Sequence, residues 1–189
     1  MGPTIGFVGR LEPRKGQLDL VEAFARIRRR HPDARLELVG PVADEDYATR
    51  IQAAIATHGL AEAVTLTGLV RDVVSHVRQW DLFVSASADE GQGLAVLEAM
   101  AIGVPVVVRP VAGLVDFITA DRTGFVIAQP TAKGIADAIE QAWTQPAAAR
   151  SIARRARRLV EQRYAWDRML PIFARLYANP LAGRLSPPR

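Results

Sequence analysis

The sequence predicts an α/β fold: a single Rossmann-like, doubly wound domain with a six-stranded parallel sheet and helices on both faces. Short apolar runs alternate with amphipathic segments along the 189 residues, as expected for strands buried between two helical layers. Hydrophobic residues make up 49% of the chain and charged residues 23%, as in soluble globular proteins. A chain of this length buries about 70% of its unfolded surface on folding, enough for one substantial core. With no internal repeat or long linker, we expect the domain and its C-terminal helices to span residues 1–180, followed by a flexible tail over residues 181–189.

Each strand is predicted from an apolar run bounded by turn residues. The six predicted strands are Thr4–Val8, Arg35–Gly40, Val64–Gly68, Asp81–Ser85, Val104–Val108 and Gly124–Ile127. Because helical segments separate them, the strands run parallel, and we expect the doubly wound order 3-2-1-4-5-6.

The helices are predicted from apolar residues recurring every three to four positions. They are a first helix from about Leu18 to His31-Pro32, Asp44–His58, a short helix carrying Val73, Val74 and Val77, about Leu94–Ile102, Ala132–Trp143, Ala147–Tyr164 and Trp166–Tyr177. Asp44-Glu45-Asp46 formally contains the Asp-x-Asp pattern of a cation site. Its position at a helix start favours capping and dipole complementarity instead, so we predict no metal site.

Charge and composition exclude several function classes. The net charge is +4, but the excess lies in Arg28-Arg29-Arg30 and in arginines between positions 150 and 163, which we interpret as a helix end and a solvated helix face. No nucleic-acid motif accompanies this charge, so we predict no nucleic-acid partner. The chain contains no cysteine, which excludes disulfides and thiolate chemistry, and it shows no transmembrane segment or signal peptide.

The histidines and tryptophans carry no site pattern. His31, His58 and His76 are predicted to have structural roles because none falls in a metal-ligand or nucleophile pattern. The three tryptophans are predicted to be core or interface residues rather than surfaces on which a sugar ring stacks; they are Trp80, Trp143 and Trp166.

The junction after the fourth predicted strand is a candidate ligand site. Glu90 and Glu98 are eight residues apart, and Gly91, Gln92, Gly93 and Leu94 follow Glu90 directly. The two glycines allow a phosphate or a sugar to approach the backbone, and the first N–H groups of the next helix can bind an anion. The two carboxylates can then bind hydroxyls on either side of that anion, which is the layout of a nucleotide sugar.

A second candidate lies in the loop after the first predicted strand. Gly9 and Gly16 permit a tight turn, while Arg10 and Lys15 place two cations near a helix start. They could neutralise a diphosphate, although a basic surface loop explains this segment equally well. It fits neither a dinucleotide fingerprint nor a P-loop. The first and fourth strands are neighbours in the predicted order, so the two loops should flank one crevice at the carboxyl edge of the sheet.

The motifs together resemble a known family. The chain is similar to the C-terminal, donor-nucleotide-binding half of a GT-B glycosyltransferase of family 4, the glycosyl transferases group 1. The resemblance covers nearly the whole chain, and the order and spacing of its pieces make it specific. Those pieces are Gly6-Phe7-Val8-Gly9-Arg10-Leu11, Lys15-Gly16, Leu36–Gly40, Val64–Gly68, Glu90–Leu94, Glu98–Ala101 and Gly103–Val107.

The resemblance implies a role for each candidate residue. Arg10 and Lys15 would stabilise the donor diphosphate without a metal, and Glu90 would hold a donor-sugar hydroxyl. Glu98 would hold the ribose. The backbone of four further residues would also contact the donor: Gly9, Gly91, Gly93 and Leu94. Gln92 would lie against the donor as well, and the nucleobase would be bordered by Gly68, Leu69 and Val70. Gln92 stands where the family has an aromatic or large apolar residue, and Ala112-Gly113 with Asp116 replaces its Gly-Gly and later Glu. Arg109, just past the fifth strand, is a further candidate phosphate or acceptor contact.

The resemblance also implies what the chain acts on and with. The donor would be a UDP- or GDP-sugar, with no other cofactor, and the reaction would retain anomeric configuration. The acceptor and an N-terminal Rossmann-like domain would lie outside this chain. An apolar strip on the last helix, including Leu170, Ile172, Phe173, Leu176 and Tyr177, would therefore be partly uncovered. The implied location is cytoplasmic, with association at the inner face of the membrane left open. Two other functions stay open: a non-catalytic nucleotide-sugar-binding module, and an epimerase-like or phosphorylase-like relative on the same architecture.

Overall fold

Six parallel strands form one sheet in the computed structural model, which describes residues 2–178. In chain order they are β1 (Thr4–Val8), β2 (Arg35–Val39), β3 (Val64–Gly68), β4 (Leu82–Ser85), β5 (Val106–Val108) and β6 (Phe125–Val126). Their order in space is β3-β2-β1-β4-β5-β6, which confirms the predicted doubly wound topology. The order reverses between β1 and β4, so the crevice expected there lies at the carboxyl ends of these two strands.

Helices connect the strands and continue beyond the sheet. They are α1 (Gln17–Arg28), α2 (Glu45–Thr57), α3 (Val73–Val77), α4 (Leu94–Ile102), α5 (Ala132–Thr144), α6 (Pro146–Arg163) and α7 (Trp166–Ala178), with one 3-10 turn at Pro13–Lys15 before α1. Asp44 caps α2, as predicted, because its Oδ1 accepts a hydrogen bond from the Tyr47 amide at 2.9 Å. Asp72 and Thr131 cap α3 and α5 in the same way.

The core consists of two apolar clusters, one on each face of the sheet. α1, α2, α5 and the first half of α6 cover the face that includes Ile5 and Phe7, and α3, α4 and the second half of α6 cover the face that includes Phe83 and Val106. Neighbouring strand residues point to opposite faces, so a strand buried on both sides reads as a continuous apolar run. This explains why the strands could be predicted from short runs of Val, Ile and Leu.

Some predicted boundaries were wrong by a few residues. The first helix ends at Arg28 rather than at His31; beyond Arg28 the Arg30 amide bonds the Ile27 carbonyl, three residues back, in a turn tighter than the α-helical spacing of four. The strands β5 and β6 are shorter than predicted; β5 begins only after Pro105, whose ring leaves no amide for the ladder.

The histidines have the structural roles predicted for them. One ring nitrogen of each histidine lies 2.8–3.0 Å from a carboxylate on another element: His31 pairs with Glu140, His58 with Glu22, and His76 with Glu37. Glu37 also accepts a 2.6 Å hydrogen bond from the Trp80 indole, which joins β2 to the turn before β4.

The tryptophans do not share one environment. Trp80 is buried, as predicted for a core residue, and Trp143 is partly buried. Trp166 is 77% exposed at the start of α7 and does not belong to the core.

The last helix lies on the surface. None of its residues is buried, and the predicted uncovered strip is exposed: Leu170, Ile172, Phe173, Leu176 and Tyr177. No helix between residues 2 and 178 is both long and apolar enough to cross a membrane. The predicted domain end at residue 180 and the predicted tail over residues 181–189 lie outside the described residues.

Candidate active site

A cavity of about 470 Å³ opens at the carboxyl ends of β1 and β4, where the two candidate loops meet. The β1–α1 loop contributes Gly9, Arg10, Arg14 and Lys15 to its wall. The loop after β4 and the first turn of α4 contribute Glu90 through Val96, and Ser85 lies at the base. The structure therefore brings together the predicted diphosphate and sugar contacts.

The β1–α1 loop is held rigidly from both ends. The amides of Gly9 and Leu11 donate to the Val39 and Pro41 carbonyls at 2.9 Å, which fixes the loop to the end of β2. At its far end, Gly16 has φ of +72° and lies against the Ala86 carbonyl, where a Cβ would come within 2.5 Å. Glycine is the residue that fits both the left-handed conformation and this close approach.

The two loops are also bonded directly to each other. The Ala88 amide donates to the Arg14 carbonyl at 2.7 Å. The Lys15 ammonium lies 2.7 Å from Glu90 Oε1, and these two side chains are only 13% and 15% exposed. Charged groups of opposite sign thus meet at the centre of the cavity wall.

Arg10 and Arg14 share Glu12 as a partner. Glu12 Oε1 lies 3.3 Å from the Arg10 guanidinium and 2.8 Å from Arg14 Nε. Arg14 Nη1 also lies 4.0 Å from Asp89 Oδ2, so Arg10, whose side chain is 57% exposed, is the cation of the loop most open to a ligand. This electrostatic environment suits an anionic ligand.

The start of α4 adds backbone donors to the same cavity. Gly93 is the N-cap residue with φ of +60°, and no side chain caps the helix. The first amides of α4 belong to Leu94, Ala95 and Val96, which line the cavity. Free N–H groups at a helix start attract anions.

A third loop shapes the Glu90-Gly91 segment from outside. A Cβ at Gly113 would lie 2.0 Å from the Glu90 carbonyl oxygen, so the loop after β5 packs directly against the backbone of the candidate site. Ala112-Gly113, noted above as a departure from the family pattern, is therefore tightly constrained at its glycine.

Other predicted site residues lie outside the wall of this cavity. Glu98 is exposed on α4, one turn beyond the residues that line it. Gly68 ends β3, and Leu69 and Val70 follow it on the same edge of the sheet, with Leu69 80% exposed. Arg109 borders a separate small cleft together with Asp19.

Sequence reasoning missed three polar residues of the site region. Arg14 and Ser85 line the cavity, and the buried Gln17 side chain bonds to the Arg10 carbonyl. Ser85 had a signal in the sequence: it is a hydroxyl residue at the carboxyl end of an otherwise apolar strand. Gln17 had none, because a glutamine in the first turn of a helix is ordinarily exposed.

A larger cavity, of about 960 Å³, lies at the opposite edge of the sheet, at the amino ends of β1, β4 and β5. Arg78, Arg150 and Arg157 contribute to its wall. It contains none of the strand-end glycine loops, and parallel sheets bind ligands at their carboxyl edge, so we do not assign the site there. Among residues 2–178, no three His, Asp or Glu side chains cluster closely enough to hold a metal ion.

Comparison with known proteins establishes the family. The sequence profile described as "Glycosyl transferases group 1" matches residues 1–159. The chain belongs to this family. Its sheet order and flanking helices correspond to one half of a GT-B fold, as the resemblance implied.

Several known enzymes are similar to this chain over most of its length. A glycogen synthase of Mycobacterium tuberculosis is 31% identical over 183 residues, covering 96% of this chain and 44% of that protein. The GDP-mannose-dependent alpha-(1-6)-phosphatidylinositol monomannoside mannosyltransferase of the same species is 32% identical, covering 87% of this chain and 44% of its own length. The chain thus spans less than half the length of these curated relatives.

A solved structure shows the same architecture. The Anabaena protein Alr3699/HepE, crystallised in complex with UDP and glucose, superimposes with a TM-score of 0.89 at 25% identity. The superposition covers 94% of this chain and 48% of that one.

Proposed function

We propose that this chain is the donor-binding half of a retaining, metal-independent glycosyltransferase, which transfers a sugar from a nucleotide-diphosphate sugar to an acceptor hydroxyl. The observation that carries the proposal is the meeting of Arg10 and Lys15 with the Glu90-Gly91-Gln92-Gly93 turn around one cavity at the carboxyl edge of the sheet. Family membership and the UDP bound by the Anabaena protein support it.

The geometry suits stabilisation of a leaving diphosphate. When the bond between the anomeric carbon and the diphosphate breaks, its electron pair remains on the diphosphate oxygen. Arg10, Lys15 and the free amides at the start of α4 can stabilise that charge, the electrostatic role that a divalent cation has in metal-dependent enzymes.

Glu90 is assigned a binding role rather than acid–base chemistry. Its Oε1 accepts a hydrogen bond from the Lys15 ammonium, and the carboxylate oxygens can also accept hydrogen bonds from sugar hydroxyls. Glu98 is proposed to bind the ribose and Gly68, Leu69 and Val70 to border the nucleobase. Those contacts would extend the site beyond the cavity, along the carboxyl edge of the sheet.

The donor base is proposed to be uracil or guanine. UDP is bound by the Anabaena structure, and the mycobacterial mannosyltransferase is GDP-mannose-dependent. We propose that the acceptor side belongs to an N-terminal Rossmann-like domain outside this chain, and we expect the isolated chain to bind nucleotide weakly and transfer little.

Calorimetric titration tests this assignment. UDP, GDP, ADP and their sugars are titrated into the wild type and into Arg10→Ala, Lys15→Ala and Glu98→Ala. We expect UDP or GDP to bind and each of the two cation substitutions to weaken diphosphate binding about tenfold, the effect of one lost charge-assisted hydrogen bond. Lys133→Ala is the matched control, because Lys133 is exposed on α5 and pairs with Asp137. If no nucleotide binds, or if the site substitutions behave like the control, the assignment is wrong.

A non-catalytic nucleotide-sugar-binding module is the second candidate. It rests on the same cavity, whose contacts suit the binding of a nucleotide sugar with or without transfer. Assay of a longer chain that includes the upstream domain separates the two functions. Turnover with any acceptor supports the transferase, and absence of turnover over a wide acceptor panel supports the binding module.

A further inference from the structure

Gln17 is an unusual buried residue at the edge of the candidate site. It is the first residue of α1 and its side chain is completely buried. The other buried polar residues between positions 2 and 178 are small and carry hydroxyls: Ser85, Ser87 and Thr123. Gln17 therefore stands alone among them as a long amide side chain.

Only half of this amide is satisfied. Gln17 Nε2 donates to the Arg10 carbonyl at 2.7 Å, across the loop that separates the two residues. Gln17 Oε1 is buried and accepts no hydrogen bond from the described residues. An unsatisfied buried oxygen costs free energy, and an apolar side chain of similar volume would avoid that cost. An apolar side chain, however, could not donate the hydrogen bond that Gln17 donates to the Arg10 carbonyl.

That hydrogen bond completes the anchoring of Arg10. The amides on either side of Arg10, at Gly9 and Leu11, are bonded to the end of β2. The Arg10 carbonyl between them is bonded inward, to Gln17. Three consecutive residues of the loop are thus fixed, so the exposed Arg10 side chain projects into the cavity from a defined position.

We propose that Gln17 is a positioning residue for the donor diphosphate: by bonding the Arg10 carbonyl, it fixes the backbone from which the Arg10 guanidinium reaches the ligand. A fixed backbone reduces the entropy lost when a flexible guanidinium binds an anion. The inference rests on the proposed function, because it assumes that Arg10 contacts the diphosphate.

The experiment compares the affinities of nucleoside diphosphate and monophosphate. UDP and UMP, and GDP and GMP, are titrated into the wild type, Gln17→Met and Arg10→Ala. Methionine keeps the length and volume of the side chain but cannot donate to Arg10. We expect Gln17→Met to weaken diphosphate binding about five- to tenfold and monophosphate binding less than about twofold, since we assign Arg10 to the diphosphate. Gln79→Met is the matched control, because Gln79 Nε2 also bonds a backbone carbonyl, that of Ser75, but at an exposed position just after α3.

A double-mutant cycle shows whether the effect passes through Arg10. If it does, adding Gln17→Met to Arg10→Ala leaves diphosphate affinity unchanged, because the side chain being positioned is already absent. A merely structural Gln17 would weaken both nucleotides together and would do so in either background, which would overturn the inference. Gln17→Leu serves in the same cycle if Gln17→Met fails to fold.

The outcomes separate this inference from the proposed function. Absence of nucleotide binding by the wild type contradicts the proposed function. Binding that depends on Arg10 but is the same in Gln17→Met as in the wild type contradicts only the role of Gln17.

Discussion

Lys15 and Glu90 form an ion pair with 2.7 Å between Nζ and Oε1, although they are 75 residues apart in the chain. The pair joins the loop after β1 to the loop after β4, and both side chains are mostly buried. The cation proposed to bind the diphosphate and the carboxylate proposed to bind the sugar thus orient each other. Preorganised groups of this kind lose less entropy when a ligand binds.

Substitutions of Lys15 and Glu90 should have non-additive effects on the free energy of unfolding. We expect Lys15→Met and Glu90→Gln each to lower the free energy of unfolding by about 1–3 kcal/mol, because each leaves a mostly buried charge without its partner. The double variant should lose less than the sum of the two. Denaturant unfolding of all four proteins measures this coupling, and strictly additive losses would mean that the ion pair contributes nothing.

The close approach of Gly113 to Glu90 predicts a loss of binding from a single methyl group. Gly113→Ala would place its Cβ 2.0 Å from the Glu90 carbonyl oxygen, so the candidate sugar-binding turn has to move. We expect stability to fall by about 1–3 kcal/mol and nucleotide-sugar affinity to fall with it.

Gly91→Ala is the control for Gly113→Ala, because we expect it to leave the free energy of unfolding almost unchanged. A Cβ at Gly91 meets no atom within 4 Å, and Gly91 lacks the left-handed backbone conformation. Its unfolding free energy should stay within about 0.5 kcal/mol of the wild type. Equal stability of the Gly113 and Gly91 variants would contradict the packing described here.

Much of the fold could be predicted from the sequence because its signals are local. A strand buried on both faces reads as an apolar run, and a helix start is marked by residues such as Asp44, so element types and the sheet order were confirmed. Boundaries depend on single hydrogen bonds, such as those that turn the chain back at Ile27, and these have no signature in the sequence.

The site was predictable only as two loops at one sheet edge. Which side chains meet across those loops depends on packing between distant residues. The Lys15–Glu90 pair, the contact of Gly113 with Glu90 and the inward turn of Gln17 therefore became visible only in the structure. Of the two environments predicted for Trp166, the core is excluded because the side chain is 77% exposed on α7; the interface stays a prediction. An aromatic side chain at helical spacing reads the same on a covered helix and on an uncovered one.

The raised pKa of the Tyr47 phenol predicts a loss of folding stability at alkaline pH. Burial raises the pKa of the Tyr47 phenol above its ordinary value, and the charge of Asp19 adds to this, while the hydrogen bond from the Leu18 amide opposes it. Because the pKa is raised in the folded state, the stabilisation is complete below about pH 10, the unfolded value. It is lost as the pH rises through the raised folded pKa.

Tyr47→Phe tests this pH dependence. Below pH 10 the variant should be less stable by about 1 kcal/mol, since the Leu18 amide loses its acceptor. Above pH 10 the difference should shrink, as measured by denaturant unfolding at each pH. A difference that stays constant up to the alkaline limit of folding would contradict the role of the phenol.

The exposed apolar strip of α7 predicts dye binding and self-association. Leu170, Phe173 and Leu176 are at least 40% exposed, and exposed apolar patches bind hydrophobic dyes and other surfaces. The triple variant Leu170→Ser, Phe173→Ser, Leu176→Ser should bind less anilinonaphthalene sulfonate and associate less in sedimentation experiments. Because no residue of α7 is buried, its unfolding free energy should change by less than about 1 kcal/mol. A large loss of stability would show that the helix packs on the domain more closely than described.

The central claim is that the donor diphosphate binds between the β1–α1 loop and the start of α4. The most direct measurement is a crystal structure determined after crystals of this chain are soaked with UDP-glucose or with GDP-mannose. We expect the diphosphate oxygens within about 3 Å of the Arg10 and Lys15 nitrogens and the sugar against Glu90 and Gly91. A nucleotide sugar bound instead in the cavity at the opposite edge of the sheet, beside Arg78 and Arg150, would contradict the account.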